Sequence, residues 1–124
     1  MQNENLTYST ICIIVGVMKS APTQHDRAIR LLSRQGLVRR AEFIAAATAC
    51  IAGTRKEPGN IAYDLHESVT DPAKMVFVEQ WENAEALVPH RGMEHMKTFG
   101  RVAVKCMAAP PKIEIITPSD VTVR

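Results

Sequence analysis

The sequence predicts a single α+β domain over residues 1–124, with a four-stranded antiparallel sheet and helices on one of its faces. Stretches with strand pattern and stretches with helix pattern alternate in the order β-α-β-β-α-β, which is that of the ferredoxin-like fold. The length of 124 residues is typical of one domain with its own core. The first strand is apolar on both faces, so its second face needs a cover. A second copy of the chain is the simplest cover, and we therefore expect a homodimer.

The first strand is expected at residues 8–19, and an extended helical segment follows at residues 20–56. Within this segment the helix pattern covers residues 24–52, and Gly36 predicts a division into 24–34 and 37–52. The apolar stripe that predicts the second piece consists of Leu37, Ala41, Ile44, Thr48 and Ile51.

A hairpin is expected next, with strands at 61–69 and 74–81. On its first strand Tyr63 shares a face with Ile61 and Leu65, whereas His66 alternates to the opposite face. Asn83 is an N-cap for a short helix that Pro89 ends or kinks, and a second helix is expected at 91–107. The last strand is expected at 112–117, with a C-terminal arm at 118–124.

Composition and charge exclude several classes of function. Fifteen basic and thirteen acidic residues leave a net charge of +2, which lacks the basic footprint of a nucleic-acid-binding protein. The arginines of residues 27–40 have no aromatic neighbours for base stacking and are expected to form a solvated helix face. No apolar run is long enough to span a bilayer. The three separated cysteines predict buried free thiols, and with no secretory signal pattern we expect a cytoplasmic protein.

Residues 57–99 carry a series of short motifs in a characteristic order. An acid-Pro-Gly turn at 57–59 leads into a strand with Tyr63, and the strand at 76–81 ends at Trp81. His90, His95 and Phe99 complete the series. In this order and spacing the segment resembles the antibiotic biosynthesis monooxygenase (ABM) domains, including quinol monooxygenase-like members.

The resemblance implies a dimeric α/β barrel with a pocket between sheet and helices in each subunit. It further implies a cofactor-independent monooxygenase that acts on an aromatic, quinol-like or enolisable small molecule and O₂. In such relatives the deprotonated substrate itself reduces O₂, and the protein supplies base catalysis, orientation and a dry cavity. The first alternative is a non-catalytic dimeric module that binds a small ligand or a partner protein. A haem-degrading oxygenase, which the family also contains, is the less favoured second alternative.

Two residues are candidate catalytic groups. The hydroxyl of Tyr63 could hydrogen-bond a substrate oxygen, although Tyr63 could also be an amphipathic core residue. His90 occupies the position at which haem-degrading relatives place their iron ligand, and a neutral imidazole is also a base near neutral pH. Many relatives that bind no haem also have histidine at this position, so His90 does not identify the cofactor.

Five further residues are candidate contacts for the substrate. Trp81 either forms a wall of the pocket or fills the core at the end of its strand. If Glu79 is buried, the pKa of its carboxyl group rises and it could serve as a base. If it lies at a sheet edge, it is a solvated charge. The strand alternation separates His66 from Tyr63. The complete set of expected contacts is Trp81, His66, Asn60, Glu79 and Phe77.

No metal site is expected from the sequence. His90 and His95 are five residues apart, which on one straight helix would direct the two rings to different faces. No cysteine or pair of carboxylates stands at a suitable spacing to complete a metal site with them.

Overall fold

The computed structural model describes residues 10–17, 28–71, 73–119, 122 and 124, with side chains from residue 39 onward. Over these residues the elements are β1 (Thr10–Val17), α1 (Ala28–Thr54), β2 (Asn60–Glu67), β3 (Lys74–Trp81), α2 (Ala84–His90), α3 (Glu94–Cys106) and β4 (Lys112–Ile116). This is the predicted element order, with two helices between β3 and β4. The expected arm positions Val121 and Val123, and the expected start of the long helix at 24–27, lie outside the described residues.

The four strands form one sheet in the order β2-β3-β1-β4, and every neighbouring pair is antiparallel. Alternation along β3 places Met75, Phe77, Glu79 and Trp81 on the buried face and leaves Val78 37% exposed on the outer face. The helices cover the first of these faces. The core therefore lies between one face of the sheet and the helices.

Helix α1 differs from the sequence prediction in two respects. It runs without a division through Gly36, because a glycine inside a helix costs only about 1 kcal/mol and a long helix tolerates it. From residue 39 onward its buried stripe consists of Phe43, Ala47, Cys50 and Thr54, whereas Ala41 and Thr48 of the expected stripe are exposed. The side chain of Leu37, the first residue of the expected stripe, lies outside the described part. The expected stripe is thus rotated from the observed one.

Strand β2 starts with an irregularity that the sequence pattern does not reveal. Asn60 pairs with Trp81 and Ala62 pairs with the next residue of β3, Gln80. Ile61 therefore has no partner in β3 and forms a β-bulge. Ile61 is consequently 52% exposed and does not share the buried face of Tyr63, contrary to the expected alternation. From Tyr63 onward the alternation is regular.

Of the helices in the described part of the chain, none is long and apolar enough to cross a membrane.

Candidate active site

An apolar cavity of about 570 Å³ lies between α1, α3, the buried face of the sheet and the loop that follows α3. Three phenylalanine rings meet in its wall, because the Phe99 centroid lies 5.4 Å from that of Phe43 and 5.5 Å from that of Phe77. The described lining comprises Phe43, Tyr63, Leu65, Met75, Phe77, Met96, Phe99, Gly100, Ala103, Val104, Met107, Ala108, Ala109, Pro110, Pro111 and Ile113. Such a cavity suits a flat apolar molecule.

Tyr63 brings the only side-chain oxygen to the described lining of this cavity. The side chain is 1% exposed, and its hydroxyl donates toward Met96 Sδ at 3.8 Å. The adjacent Cys50 thiol donates to the same sulfur at 3.4 Å. Burial raises the pKa of Cys50 above its ordinary value of 9.0, against the hydrogen bonds from Thr54 and Tyr63, so the thiol stays protonated. Tyr63 is therefore the residue through which this lining can offer a hydroxyl group.

The turn after α1 presents a buried carboxylate next to this wall. The amide of Glu57 donates to the carbonyl of Thr54 at 2.9 Å, and the amide of Asn60 donates to that of Glu57 at 3.2 Å. Gly59 has φ +82°, and a Cβ at this position would lie 2.5 Å from Ala86 Cβ. The Pro-Gly turn is thus closely packed against α2, and it holds Glu57 at 8% exposure.

Glu57 accepts hydrogen bonds from two histidines through one oxygen. Its Oε1 lies 2.8 Å from His90 Nδ1 and 2.5 Å from His95 Nε2. His90 is the last residue of α2 and His95 the second of α3, so the expectation that the two rings diverge on one helix is wrong. The chain turns between the two helices, where the amide of Met93 donates to the carbonyl of His90 at 3.1 Å. We call Glu57, His90 and His95 the Glu-His-His cluster.

Two members of the Glu-His-His cluster, Glu57 and His90, are almost completely buried. Burial lowers the pKa of His90 below its ordinary value of 6.5, and it outweighs the hydrogen bond and the charge of Glu57, which act in the opposite direction. His90 is therefore neutral near pH 7, with its proton on Nδ1 toward the carboxylate. Among the described residues, His90 Nε2 and Glu57 Oε2 are buried without a hydrogen-bond partner.

A chain of ring contacts joins the cluster to the cavity. The ring of His90 lies 4.9 Å from that of Trp81 and 5.5 Å from that of Tyr63, measured between centroids. Tyr63 lies 5.3 Å from Phe77, which is part of the cavity wall. His90 and Trp81 do not belong to the described lining, so they support the cavity from behind Tyr63.

The other expected contacts are divided between the two faces of the sheet. Phe77 lines the cavity, as expected for a substrate contact. Glu79 is fully buried and accepts a hydrogen bond from Trp81 Nε1 at 3.0 Å, so Glu79 belongs to the core and not to a solvated edge. Asn60 Nδ2 donates to the carbonyl of Ala62 at 3.2 Å within the start of β2. His66 is exposed on the outer face, as the alternation predicts.

Two members of the site escaped the sequence reasoning. In the sequence Glu57 stands out only as the acid of the Pro-Gly turn, and the spacing of His95 from His90 predicts that the two rings diverge. The signal that could have identified them was the combination of Pro89 and Gly92, which separates two helices between the histidines. The cysteine prediction is confirmed where the structure describes it, because Cys50 and Cys106 are free and buried.

The described residues do not fit a haem ligated by His90. The side chain is 3% exposed, its Nδ1 is bonded to Glu57, and its ring contacts Tyr63 and Trp81. A porphyrin needs a large cavity next to the ligating nitrogen, and His90 does not line the described cavity. We therefore assign no role to haem in the reaction proposed below.

Comparisons with known proteins agree with this architecture. The sequence model of the family described as "Antibiotic biosynthesis monooxygenase" matches residues 39–102, which is more than half of the chain. No curated protein matches the chain significantly.

Solved structures show the same fold at low sequence identity. A Nitrosomonas europaea protein provisionally named as an antibiotic biosynthesis monooxygenase superimposes with a TM-score of 0.73 at 19% identity, over 91% of this chain and 92% of its own. Rv0793 from Mycobacterium tuberculosis gives a TM-score of 0.72 at 22% identity, over 93% and 99%. PA3566 from Pseudomonas aeruginosa gives 0.63 at 22% identity, over 94% and 99%.

Proposed function

Because the chain belongs to the antibiotic biosynthesis monooxygenase family, we propose that it is a cofactor-independent monooxygenase for an aromatic, quinol-like or enolisable small molecule. In this proposal the substrate occupies the 570 Å³ cavity. The substrate itself supplies the electrons, without a metal or a flavin. The substrate releases a proton to bulk water and enters the reaction as a phenolate, enolate or carbanion, which passes electrons to O₂. One oxygen atom enters the product and the other leaves as water after uptake of protons and two further substrate electrons.

The observation that carries the proposal is that Tyr63 is the one residue of the described, otherwise apolar lining with a side-chain oxygen. A hydroxyl that donates to the substrate oxygen stabilises the negative charge that develops there when the substrate loses its proton. Next to an apolar wall this stabilisation is larger than in bulk water. Phe43, Phe77 and Phe99 pack against the flat faces of the substrate.

We assign a positioning role to His90 and Trp81. The two rings contact each other and His90 also contacts the ring of Tyr63, so they fix the orientation in which Tyr63 meets the substrate. Glu57 holds the His90 ring in one tautomer through Nδ1. In this proposal Tyr63 is the catalytic residue, and His90 acts through it.

We also propose that the protein is a homodimer that pairs through the outer face of the sheet. Val76 and Val78 lie on this face, in register with Val15 and Ile13 of β1, and Val78 is 37% exposed. In the described chain the helices cover only the other face of the sheet. Pairing of two outer faces would bury this apolar surface.

The test follows O₂ uptake by the purified protein with a panel of quinols and anthrone-type compounds. We expect uptake above that of buffer, and a loss of roughly 100-fold in kcat for Tyr63→Phe, which keeps the ring but removes the hydroxyl. Val69→Ala, at a fully exposed turn position, is the matched control and should keep full activity. Absence of uptake with every compound, or equal activity of Tyr63→Phe, would contradict the proposal.

One observation favours a second candidate, a module that binds a small ligand without turnover. A lining with a single polar side chain could hold an apolar ligand without any chemistry. A thermal-shift screen with the same compounds separates the candidates. A binding module is stabilised in proportion to ligand concentration but consumes no O₂.

A further inference from the structure

We propose that Glu57, His90 and His95 form a binding site for a divalent transition-metal ion of the Zn²⁺ class. This inference goes beyond the proposed oxygenase function, because none of the three residues belongs to the described lining of the substrate cavity. The ion would connect the turn after α1 to α2 and α3, and it would take no part in the reaction with O₂.

Ligand convergence is the first argument. The two ring nitrogens, His90 Nδ1 and His95 Nε2, are both directed at the same carboxylate, and the three potential ligand atoms lie within 4.8 Å of one another. In a tetrahedral zinc site with bonds of about 2.0 Å, the ligand atoms are about 3.3 Å apart. The observed arrangement therefore needs shifts of less than about 1.5 Å to enclose an ion. Each imidazole binds the ion in its other tautomer, so the proton moves from Nδ1 to Nε2 in His90 and from Nε2 to Nδ1 in His95, and the ion replaces the two hydrogen bonds to Glu57. His95, at 24% side-chain exposure, can adjust most easily.

Unused hydrogen-bonding capacity inside the cluster is the second argument. The side chain of Glu57 is only 5% exposed, yet of its two oxygens Oε1 accepts both hydrogen bonds and Oε2 accepts none from the described residues. A buried carboxylate oxygen without a donor is costly. A divalent ion bound to the carboxylate would offset this cost, because its positive charge would interact with the oxygen that has no donor.

The backbone provides the third argument, since two glycines make room for the cluster. A Cβ on Gly53 would lie 2.7 Å from His95 Cγ, so only glycine lets this ring pack against the end of α1. Gly59 lies in the turn that carries Glu57. A Cβ at this position would lie 2.5 Å from Ala86 Cβ, so only glycine lets the turn pack this closely against α2. The ligands thus come from three segments that are already held in place, which reduces the entropy cost of binding an ion.

The donor set determines the class of ion. Two imidazoles and one carboxylate suit Zn²⁺, Co²⁺, Ni²⁺ and Fe²⁺, whereas Mg²⁺ and Ca²⁺ prefer oxygen ligands throughout. Three protein ligands leave a fourth position for water. The Glu-His-His cluster lies beside an open depression of about 310 Å³ that is lined in part by Glu57, Pro58, Pro89 and Met93. His95 is the ligand with the most exposed side chain, at 24%.

The test uses the tag-free, reduced full-length protein without any substrate. We expect calorimetry to show one Zn²⁺ per chain, and Co²⁺ to give the visible absorption of a four-coordinate site without a thiolate-to-cobalt band. Mg²⁺ should give no signal. His95→Ala, at a part-exposed position, should weaken Zn²⁺ binding at least about 100-fold, and Glu57→Gln should do the same while keeping the shape of the side chain.

His66→Ala is the matched control, because it removes an exposed histidine on the outer face of the sheet and should leave the affinity unchanged. Absence of Zn²⁺ binding, binding that His95→Ala does not weaken, or a thiolate band with Co²⁺ would each overturn the proposal. Since substrate and O₂ are absent, a failure here leaves the oxygenase proposal untouched, and a failure of the O₂-uptake test leaves the metal proposal untouched.

Discussion

His90 Nδ1 lies 2.8 Å from Glu57 Oε1, although the two residues are 33 positions apart in the sequence. Both side chains are almost completely buried. The bond joins the turn after α1 to the end of α2, and the ring of His90 in turn contacts Tyr63 and Trp81. One buried hydrogen bond therefore connects the Pro-Gly turn to the wall of the cavity.

Replacement of Glu57 by alanine should lower the free energy of unfolding by about 1–3 kcal/mol, because the buried Nδ1–H of His90 loses its acceptor. Glu57→Gln should cost less, since its amide oxygen can accept the same hydrogen bond. Urea unfolding of the three proteins at pH 7 measures both differences. Equal stability of wild type and Glu57→Ala would show that the bond contributes nothing.

Gly59→Ala should destabilise the fold by about 1–3 kcal/mol. The residue has φ +82°, where a side chain is strained, and the new Cβ would meet Ala86 Cβ at 2.5 Å. Gly100→Ala provides the matched comparison, since no atom lies within 4 Å of the added Cβ and the position is inside α3. The better helix propensity of alanine should raise stability there by up to about 1 kcal/mol.

Thermal and urea unfolding distinguish the two glycine positions by the sign of the change. If both variants were stabilised or both were neutral, the close packing of the Pro-Gly turn on α2 would not be a feature of the folded protein. That packing is also what positions Glu57, so Gly59→Ala should additionally change the NMR signals of the His90 ring.

The buried thiol of Cys50 should make stability depend on pH in the alkaline range. Its pKa is raised in the folded state, chiefly by burial, above the ordinary 9.0 of the unfolded chain. As the pH rises above about 9, the unfolded chain loses this proton while the folded chain keeps it, so the free energy of unfolding decreases. Below pH 9 both states are protonated and this contribution is constant.

Tyrosines and lysines also titrate in this range, so the informative quantity is the difference between wild type and Cys50→Ala. Wild type should lose more stability than the variant between pH 8 and pH 10 in urea unfolding. Parallel curves for the two proteins would contradict the raised pKa.

The sheet was the most predictable part of the fold, because strict alternation is a strong local signal. The bounds of β3 agree with the expected 74–81, and the separation of His66 from Tyr63 follows from alternation alone. Where a bulge adds one residue, at Ile61, the alternation fails. The buried face of helix α1 is harder to predict, because a small rotation of the helix about its axis exposes Ala41 and Thr48 and buries neighbours such as Phe43.

The Glu-His-His cluster could not be predicted from sequence periodicity. It depends on two features that no local pattern encodes, a turn that brings His90 and His95 together and a contact of both with Glu57 across more than thirty residues. The position of Trp81 behind Tyr63, and not in the cavity wall, likewise depends on how α2 packs against the sheet.

Val78→Asp should convert the proposed dimer to a monomer. Val78 lies near the centre of the outer face, in register with Asp64 of β2 and Ile13 of β1, and is 37% exposed in the single chain. An aspartate here would bury a further negative charge at the interface, next to Asp64, whose carboxylate is already paired with Arg55 at 2.6 Å. Burial of such a charge costs several kcal/mol. In the separated subunit the same side chain can reach solvent, so the fold itself should survive.

Light scattering coupled to size exclusion measures the mass of each variant. Val69→Asp introduces the same change at a turn position that is fully exposed, and it should leave the dimer intact. A monomeric wild-type protein would contradict the proposed pairing directly. A Val78→Asp protein that remains dimeric and folded would show instead that the two copies meet through a different surface.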